Sequence, residues 1–275
     1  MRKAYIFGRV VKHFFTYALL ALFMVPFYLM VLNSFKTTQE FVMNPFAWPT
    51  SLNVDNFIFA FESMNFMRAF GNSFIITVIS VVILLITASM AAYFLVRLPW
   101  KLNKIIFAIL VASMIVPFQA VMIPLVSLYG SLELLNNRWT LIFMYMGFGQ
   151  AFAIFIFHGF IKSIPLEIEE AATIDGCGRI KTFFLIVVPM LKPVISTVLI
   201  LQVLWIWNDY LLPRLILISP DQRTLPLSMF AFFSTFSVNF GPLMAGIVLT
   251  IIPILTVYLV CQKQIIEGVA QGAVK

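Results

Sequence analysis

Six stretches of this chain run on without a charged side chain: residues 13–35, 69–96, 105–132, 139–161, 193–208 and 224–262. A helix of about 20 mostly apolar residues crosses a bilayer, and in hydrocarbon it satisfies its own backbone hydrogen bonds. The first four runs meet that length as they stand. The fifth is interrupted at Asp209 but stays apolar through Leu212. The sixth exceeds one span, and Ser234, Ser237, Asn239 and the Gly241-Pro242 pair place its start near Gly241. The pattern predicts an all-α membrane protein with six transmembrane helices over about 13–34, 69–96, 105–128, 139–161, 193–213 and 241–262. Composition agrees, since 62% of the residues are hydrophobic and only 11% charged. A soluble domain is about a quarter charged, so this chain cannot solvate a soluble surface. Disordered chains lie at the opposite compositional extreme from one with 30 Phe.

Charge also orients the spans. Lys and Arg collect on cytoplasmic loops of membrane proteins, which accounts for the net charge of +7 without nucleic acid. Arg2, Lys3, Arg9, Lys12, Arg97, Lys101, Lys104, Lys162, Arg179, Lys181, Lys192, Lys263 and Lys275 fall on one side, thirteen in all. Lys36, Arg68, Arg138, Arg214 and Arg223, five in all, fall on the other. Both termini are therefore expected in the cytoplasm. The first run is not a signal peptide: 14–32 is 19 apolar residues leading into Asn33-Ser34-Phe35-Lys36, whereas a signal core is about 7–15 residues. Pro26, Pro117, Pro124 and Pro253 are expected to kink their helices. Two cysteines and two histidines, His13 and His158, make neither a disulfide framework nor a zinc site.

The segment between the fourth and fifth spans carries the most information. Over about 165–177 it reads as a short helix with Ser163 and Pro165 as start signals. Glu167, Glu169 and Glu170 lie at the positive end of its dipole, and Gly176 and Gly178 supply the stop. Ile168, Ala171 and Ala172 at i, i+3, i+4 form a small apolar face, suited either to docking in a groove of another protein or to a solvated connector.

This loop resembles the cytoplasmic signature of the membrane subunits of bacterial ATP-binding-cassette importers, which reads Glu-Ala-Ala, three residues, Gly, nine residues, Ile-x-Leu-Pro. Here Glu170-Ala171-Ala172, Gly176 and Ile186-Val187-Val188-Pro189 stand at those spacings, with Val188 in place of Leu. Trp207-Asn208-Asp209-Tyr210 with Leu212-Pro213, the stretch Asn33-Ser34-Phe35-Lys36 with Asn44-Pro45-Phe46, and the ending Gly268-Val-Ala-Gln-Gly272-Ala-Val-Lys275 are similar to the carbohydrate branch. Within it the chain looks like the smaller maltose-type permease.

The resemblance implies a single permease domain over 1–275 in a bacterial inner membrane, with the 165–177 segment as a coupling helix seated in a separate ATPase. Glu169, Glu170, Ala171, Ala172, Asp175, Gly176 and Pro189 would serve that coupling, and Gln271 and Gly272 in the tail would also reach the ATPase. The implied partners are a second homologous permease, two ATPase subunits, a solute-binding protein met by the outer segments 36–68 and 213–240, and a sugar. The chain has no phosphate-binding Gly-x-x-x-x-Gly-Lys-Ser/Thr loop, so ATP and magnesium would be held by the partner ATPase, and the subunit is non-catalytic. Trp205, Asn208, Asp209 and Gln119 are candidates for the substrate path. Asp209, near the end of the fifth span, reads more simply as a residue reaching water or pairing with Arg214. An ion-coupled secondary transporter is the alternative, but it would use intramembrane carboxylates near the midplane.

Overall fold

The structure, a computed structural model, describes residues 2–233 and 238–273, with side chains for 8–233, 238–260 and 262. Ser234, Ser237, Val274 and Lys275 lie outside the described residues. Within the described residues the chain is helical, apart from one isolated bridge between Phe233 and Val238. In chain order the helices are α1 Arg2–Ser34, α2 Thr38–Met43, α3 Asp55–Ser63, α4 Phe66–Arg97, α5 Lys101–Ser113, α6 Phe118–Ser131 and α7 Arg138–Ile161. They continue with α8 Leu166–Ile174, α9 Arg179–Thr182, a π-helical turn Phe183–Val187, α10 Val188–Met190, α11 Lys192–Asn208, α12 Leu211–Ile216, α13 Leu225–Ser228 and α14 Phe240–Ala273.

Among the described residues, four helical stretches are long and apolar enough to cross a membrane: Gly8–Ser34 of α1, α4, α7 and Phe240–Val260 of α14. Two further spans follow only if two bent pairs each count as one. α5 and α6 meet at 99°, and the Arg179–Met190 turns meet α11 at 77°. The third run, expected as one kinked helix over 105–128, is thus two helices separated at 114–117. Pro117 sits extended at the N-cap of α6, with φ −69° and ψ 140°, where its missing N–H costs nothing. Pro26, Pro124 and Pro253 lie inside continuous helices. The fifth run ends at Asn208, short of 213, because Asp209 turns extended and its Oδ1 accepts the Leu211 amide at 3.0 Å, starting α12 anew.

By contact the chain divides into two units, Met1–Met67 with Ser228–Pro253, and Arg68–Leu227 with Ile254–Lys275. In the larger unit α7 is apolar all round and is touched by α5, α11 and α12, as befits a helix at the centre. α4 presents a seam of buried residues, Ala69, Ser73, Thr77, Val81, Leu84, Ala88 and Ala92, roughly every four positions and mostly small. Lipid tails are as apolar as leucine, so close backbone approach over small residues, and not expulsion of water, holds such helices together. Leu84, Ala153, Phe157, Val187 and Val198 make one buried cluster; Ile76, Leu141, Tyr145, Ile206 and Leu212 make another. His158 stacks on Phe107 with ring centroids 3.8 Å apart, a packed histidine.

In the smaller unit, the 6%-buried span of α1 leaves its apolar surface bare, as lipid would require. Past its end the chain folds on polar ties. Lys36, 1% exposed, donates from Nζ to the carbonyls of Asn44 at 3.1 Å and Pro45 at 3.0 Å. Burial lowers its pKa, with Glu40 opposing. Asn56 Nδ2 donates to the carbonyls of Ser34 and Lys36, each at 2.8 Å. Thr37 and Glu40 close a capping box on α2. Hydrogen bonds from the Thr50 hydroxyl and from the Thr37 and Thr50 amides hold the Glu40 carboxyl down at about 2. A depressed carboxyl pKa stabilises the fold above the ordinary value and loses that contribution only as pH falls through about 2.

Gly241, in the first turn of α14, approaches this knot closely: a Cβ there would lie 2.5 Å from the Lys36 carbonyl oxygen and 2.9 Å from Asn56 Nδ2. Backbone cannot swing aside as a side-chain tip can. Gly241→Ala should therefore destabilise the protein by about 1–3 kcal/mol, read as a lower unfolding midpoint in detergent. Substitution at Gly147, whose Cβ would meet nothing within 4 Å, gives the control.

Candidate functional site

Two adjacent glutamates in α8 meet different surroundings, Glu169 buried and Glu170 exposed. A helix turns about 100° per residue, so Glu169 and Ala172, three apart, share the inner face, 6% exposed each. Glu170, Ala171 and Ile174 are exposed on the outer surface. Ile168 is 38% exposed. The apolar face expected from Ile168, Ala171 and Ala172 is thus divided, with Ala172 turned into the chain's own interior.

Glu169 is the hub of a buried polar strut to α4. Its Oε1 accepts from Arg97 Nε at 2.8 Å and lies 2.7 Å from Arg97 Nη2, and its Oε2 accepts from the Tyr93 hydroxyl at 2.8 Å. Arg97 Nη2 also donates to the Ile164 carbonyl at 3.0 Å, just before α8 begins. Thr173 closes the local frame by donating its hydroxyl to the Glu169 carbonyl at 2.9 Å. Beside the strut, a cavity of about 350 Å³ opens among residues that include Tyr93, Arg97, Glu169, Thr173, Arg179 and Phe183. Side chains do not fill this cleft, so the charge-assisted hydrogen bonds carry much of the hold of α4 on α8.

The end of α8 is equally specific. Gly176 has φ +82°, a left-handed conformation strained for any L side chain. The Gly176 amide donates to Thr173 O at 3.0 Å and the Cys177 amide to Ala172 O at 2.9 Å, the paired bonds of a Schellman stop. Asp175 is the exposed C-cap. At the other end Pro165 holds the N-cap position, while the expected start signal Ser163 donates its hydroxyl back to Phe160 in the preceding helix. Pro189 is exposed in α10, two residues after the π-helical turn. A proline deprives its helix of one backbone donor, and a π turn is one way to accommodate that. Gln271 and Gly272 lie in the last turns of α14, their side chains outside those described.

The other candidates do not converge on this place. Asp209 Oδ2 accepts from the Tyr145 hydroxyl at 2.9 Å, a partner 64 residues away that spacing did not suggest. Trp205, 43% exposed, sets its ring against Tyr145 at 5.6 Å in a T-shaped pair. Asn208 is exposed and donates back to Leu204 O at 2.8 Å, and Gln119 is exposed in the first turn of α6.

Removing one member of the strut strands the other in a poorly hydrated site, at a cost of about 3–5 kcal/mol. Arg97→Leu and Glu169→Leu should each lower the unfolding midpoint in detergent sharply, and the double variant should be more stable than either single one. Glu170→Gln, on the outer face, should change stability by no more than about 0.5 kcal/mol.

Residues 85–270, about two thirds of the chain, match the family described as binding-protein-dependent transport system inner membrane component. The chain is 41% identical over 275 residues to the probable starch degradation products transport system permease protein AmyC of Thermoanaerobacterium thermosulfurigenes, covering 100% of both. It is 36% identical to the multiple sugar-binding transport system permease protein MsmG of Streptococcus mutans, over 96% of this chain and 98% of that one. Its fold is similar to a chain of a bacterial ABC transporter involved in the import of the acidic polysaccharide alginate, with TM-score 0.82 at 22% identity, covering 96% and 98% of the two chains. The protein belongs to the family of inner-membrane components of binding-protein-dependent transport systems.

Proposed function

We propose that this chain is one of two homologous permease subunits of an ATP-driven importer of sugars, and that α8 is the element through which a separate ATPase drives it. The observation that carries this reading is the division of α8 into an inner face tied to α4 through Glu169 and an outer face bearing Glu170, Ala171 and Ile174. A helix of nine residues held on one side and bare on the other can pass a push from a docked partner into a span. In this reading ATP and magnesium are bound by two ATPase subunits, whose closure on ATP carries α8 with it. The Arg97–Glu169 strut then moves α4 together with α8. Both termini lie in the cytoplasm on the charge count, and a solute-binding protein delivers cargo from the other side. The sugar assignment is supported by the relatives at 41% and 36% identity, whose names refer to starch degradation products and to multiple sugars.

The test is recovery of the assembly in mild detergent through a tag on the N-terminus, with mass spectrometry of what accompanies the chain. The wild type should bring an ATPase, a second permease and a solute-binding protein, and Glu170→Lys should lose most of the ATPase while keeping the second permease. A chain recovered alone that moves solute on an ion gradient would contradict the importer. Undiminished ATPase and transport in Glu170→Lys would contradict the docking face.

A further inference from the structure

We infer that the loop 45–50 is a membrane wedge, with Phe46 and Trp48 set into the phospholipid headgroup boundary of the leaflet that α1 meets at its C-terminal end. The reading needs only that α1 spans, and it stands whether or not the chain imports sugars. Between Glu40 and Asp55 the chain has no charged residue. Phe46 is 69% exposed and Trp48 75%. Rings bared to water at a loop tip are unfavourable. At the membrane–water boundary they are favoured, because the ring meets acyl chains while the indole N–H meets polar headgroups. That N–H is the one polar side-chain group over 45–49, and phosphate or ester oxygens of a phospholipid would accept from it.

Depth along α1 points to lipid as the occupant. Trp48 sets its ring against that of Tyr28 in a T-shaped pair, centroids 6.3 Å apart. Tyr28 lies six residues before the end of α1 at Ser34, about 9 Å back along the axis at 1.5 Å per residue. Helical side chains also lean toward the N-terminus, which carries the ring deeper. The loop therefore leaves the span, turns, and comes back down its flank, beside a helix whose apolar surface is bare. Both ends of the excursion are pinned near the end of α1: Lys36 Nζ holds the Asn44 and Pro45 carbonyls, and the Asn53 amide donates to Phe35 O at 3.0 Å. The backbone of the loop is prepared for a place poor in water. Pro45 and Pro49 have no N–H, the Phe46 and Ala47 amides donate to Asn44 Oδ1 at 2.9 and 3.2 Å, and the Thr50 amide donates to Glu40 Oε1 at 3.1 Å. Irregular backbone at membrane depth needs its polar groups met inside the protein. The resemblance would give the whole of 36–68 to a solute-binding protein, but such a partner approaches the end of a span, whereas this tip stands more than a turn below it.

The experiment uses the full-length chain with Cys177→Ser and Cys261→Ser and a nitroxide attached through Ala47→Cys, an exposed position between the two rings. It is reconstituted in vesicles of phosphatidylethanolamine and phosphatidylglycerol, both alone and with the subunits that copurify with it. Oxygen concentrates in lipid and a nickel chelate in water, so their relative effect on the relaxation of the label reports its depth. Labels at Leu22, 65% exposed on α1, and at Glu62, exposed on α3, give the lipid and water references. The label at position 47 should favour oxygen over nickel several-fold more than the label at position 62 does, in both preparations, and adding the solute-binding protein should leave the ratio unchanged. Trp48→Ser should move the ratio toward the water reference. Should Ala47→Cys fail to reconstitute, the label is placed through Trp48→Cys, and the same ratio decides. A label that matches the water reference would overturn the wedge. A label shielded from both reagents, in the partner-loaded vesicles or after binding protein is added, would overturn it too and assign the tip to a protein interface. Neither result bears on the importer reading, which rests on α8.

Discussion

A buried carboxylate in a membrane protein must be answered by something, and the answer to Glu169 organises the rest. Its oxygens are taken by Arg97 and Tyr93 on α4, and Arg97 reaches on to the backbone at Ile164. An isolated charge there would be costly, so the three side chains stand or fall together. Apolar packing slides at little cost, whereas a guanidinium fork on a carboxylate fixes both distance and angle. The strut is therefore a suitable joint between a short helix outside the apolar core and a span of 32 residues. The unfilled cavity beside it makes the polar joint matter more than the surrounding contacts.

The same division of labour recurs elsewhere in the molecule. Between spans the fold relies on small residues and close approach, as along the seam of α4. Where the chain leaves a span it relies on polar side chains that satisfy stranded backbone groups. Lys36 gathers the carbonyls of Asn44 and Pro45, Asn56 those of Ser34 and Lys36, and Asn72 those of Asp221 and Arg223 at 2.9 and 3.0 Å. This gives a physical ground to the Asn33-Ser34-Phe35-Lys36 and Asn44-Pro45 stretches: the lysine of one is the clamp on the carbonyls of the other.

The helical membrane class was legible because a run of uncharged residues has one cheap solution in lipid, a helix. The α8 segment was legible because its acidic start and glycine end are local signals, and the left-handed Gly176 is the residue that such an ending demands. What was hidden depended on distance along the chain or on discrimination between like residues. Glu169 and Glu170 are the same residue type side by side, and only the α4 partner, 72 positions away at Arg97, separates a strut from an exposed face. Asp209 looked toward Arg214 by proximity, yet its hydroxyl partner is Tyr145. Four prolines in apolar runs looked alike. Pro117 starts a helix at a 99° break while Pro124 sits within the next one, a difference set by tertiary packing.

The claim that α8 and α4 move as one body is open to a direct distance measurement. Spin labels at Ile168, 38% exposed on α8 and outside the docking face, and at Met90, 43% exposed on α4, report on either side of the strut. In the assembled importer the account predicts a single narrow distance distribution that stays the same with and without ATP, and that broadens in Arg97→Leu. A wild-type distance that shifts when nucleotide binds would show α8 moving independently of α4, and would contradict the strut as the transmitting joint.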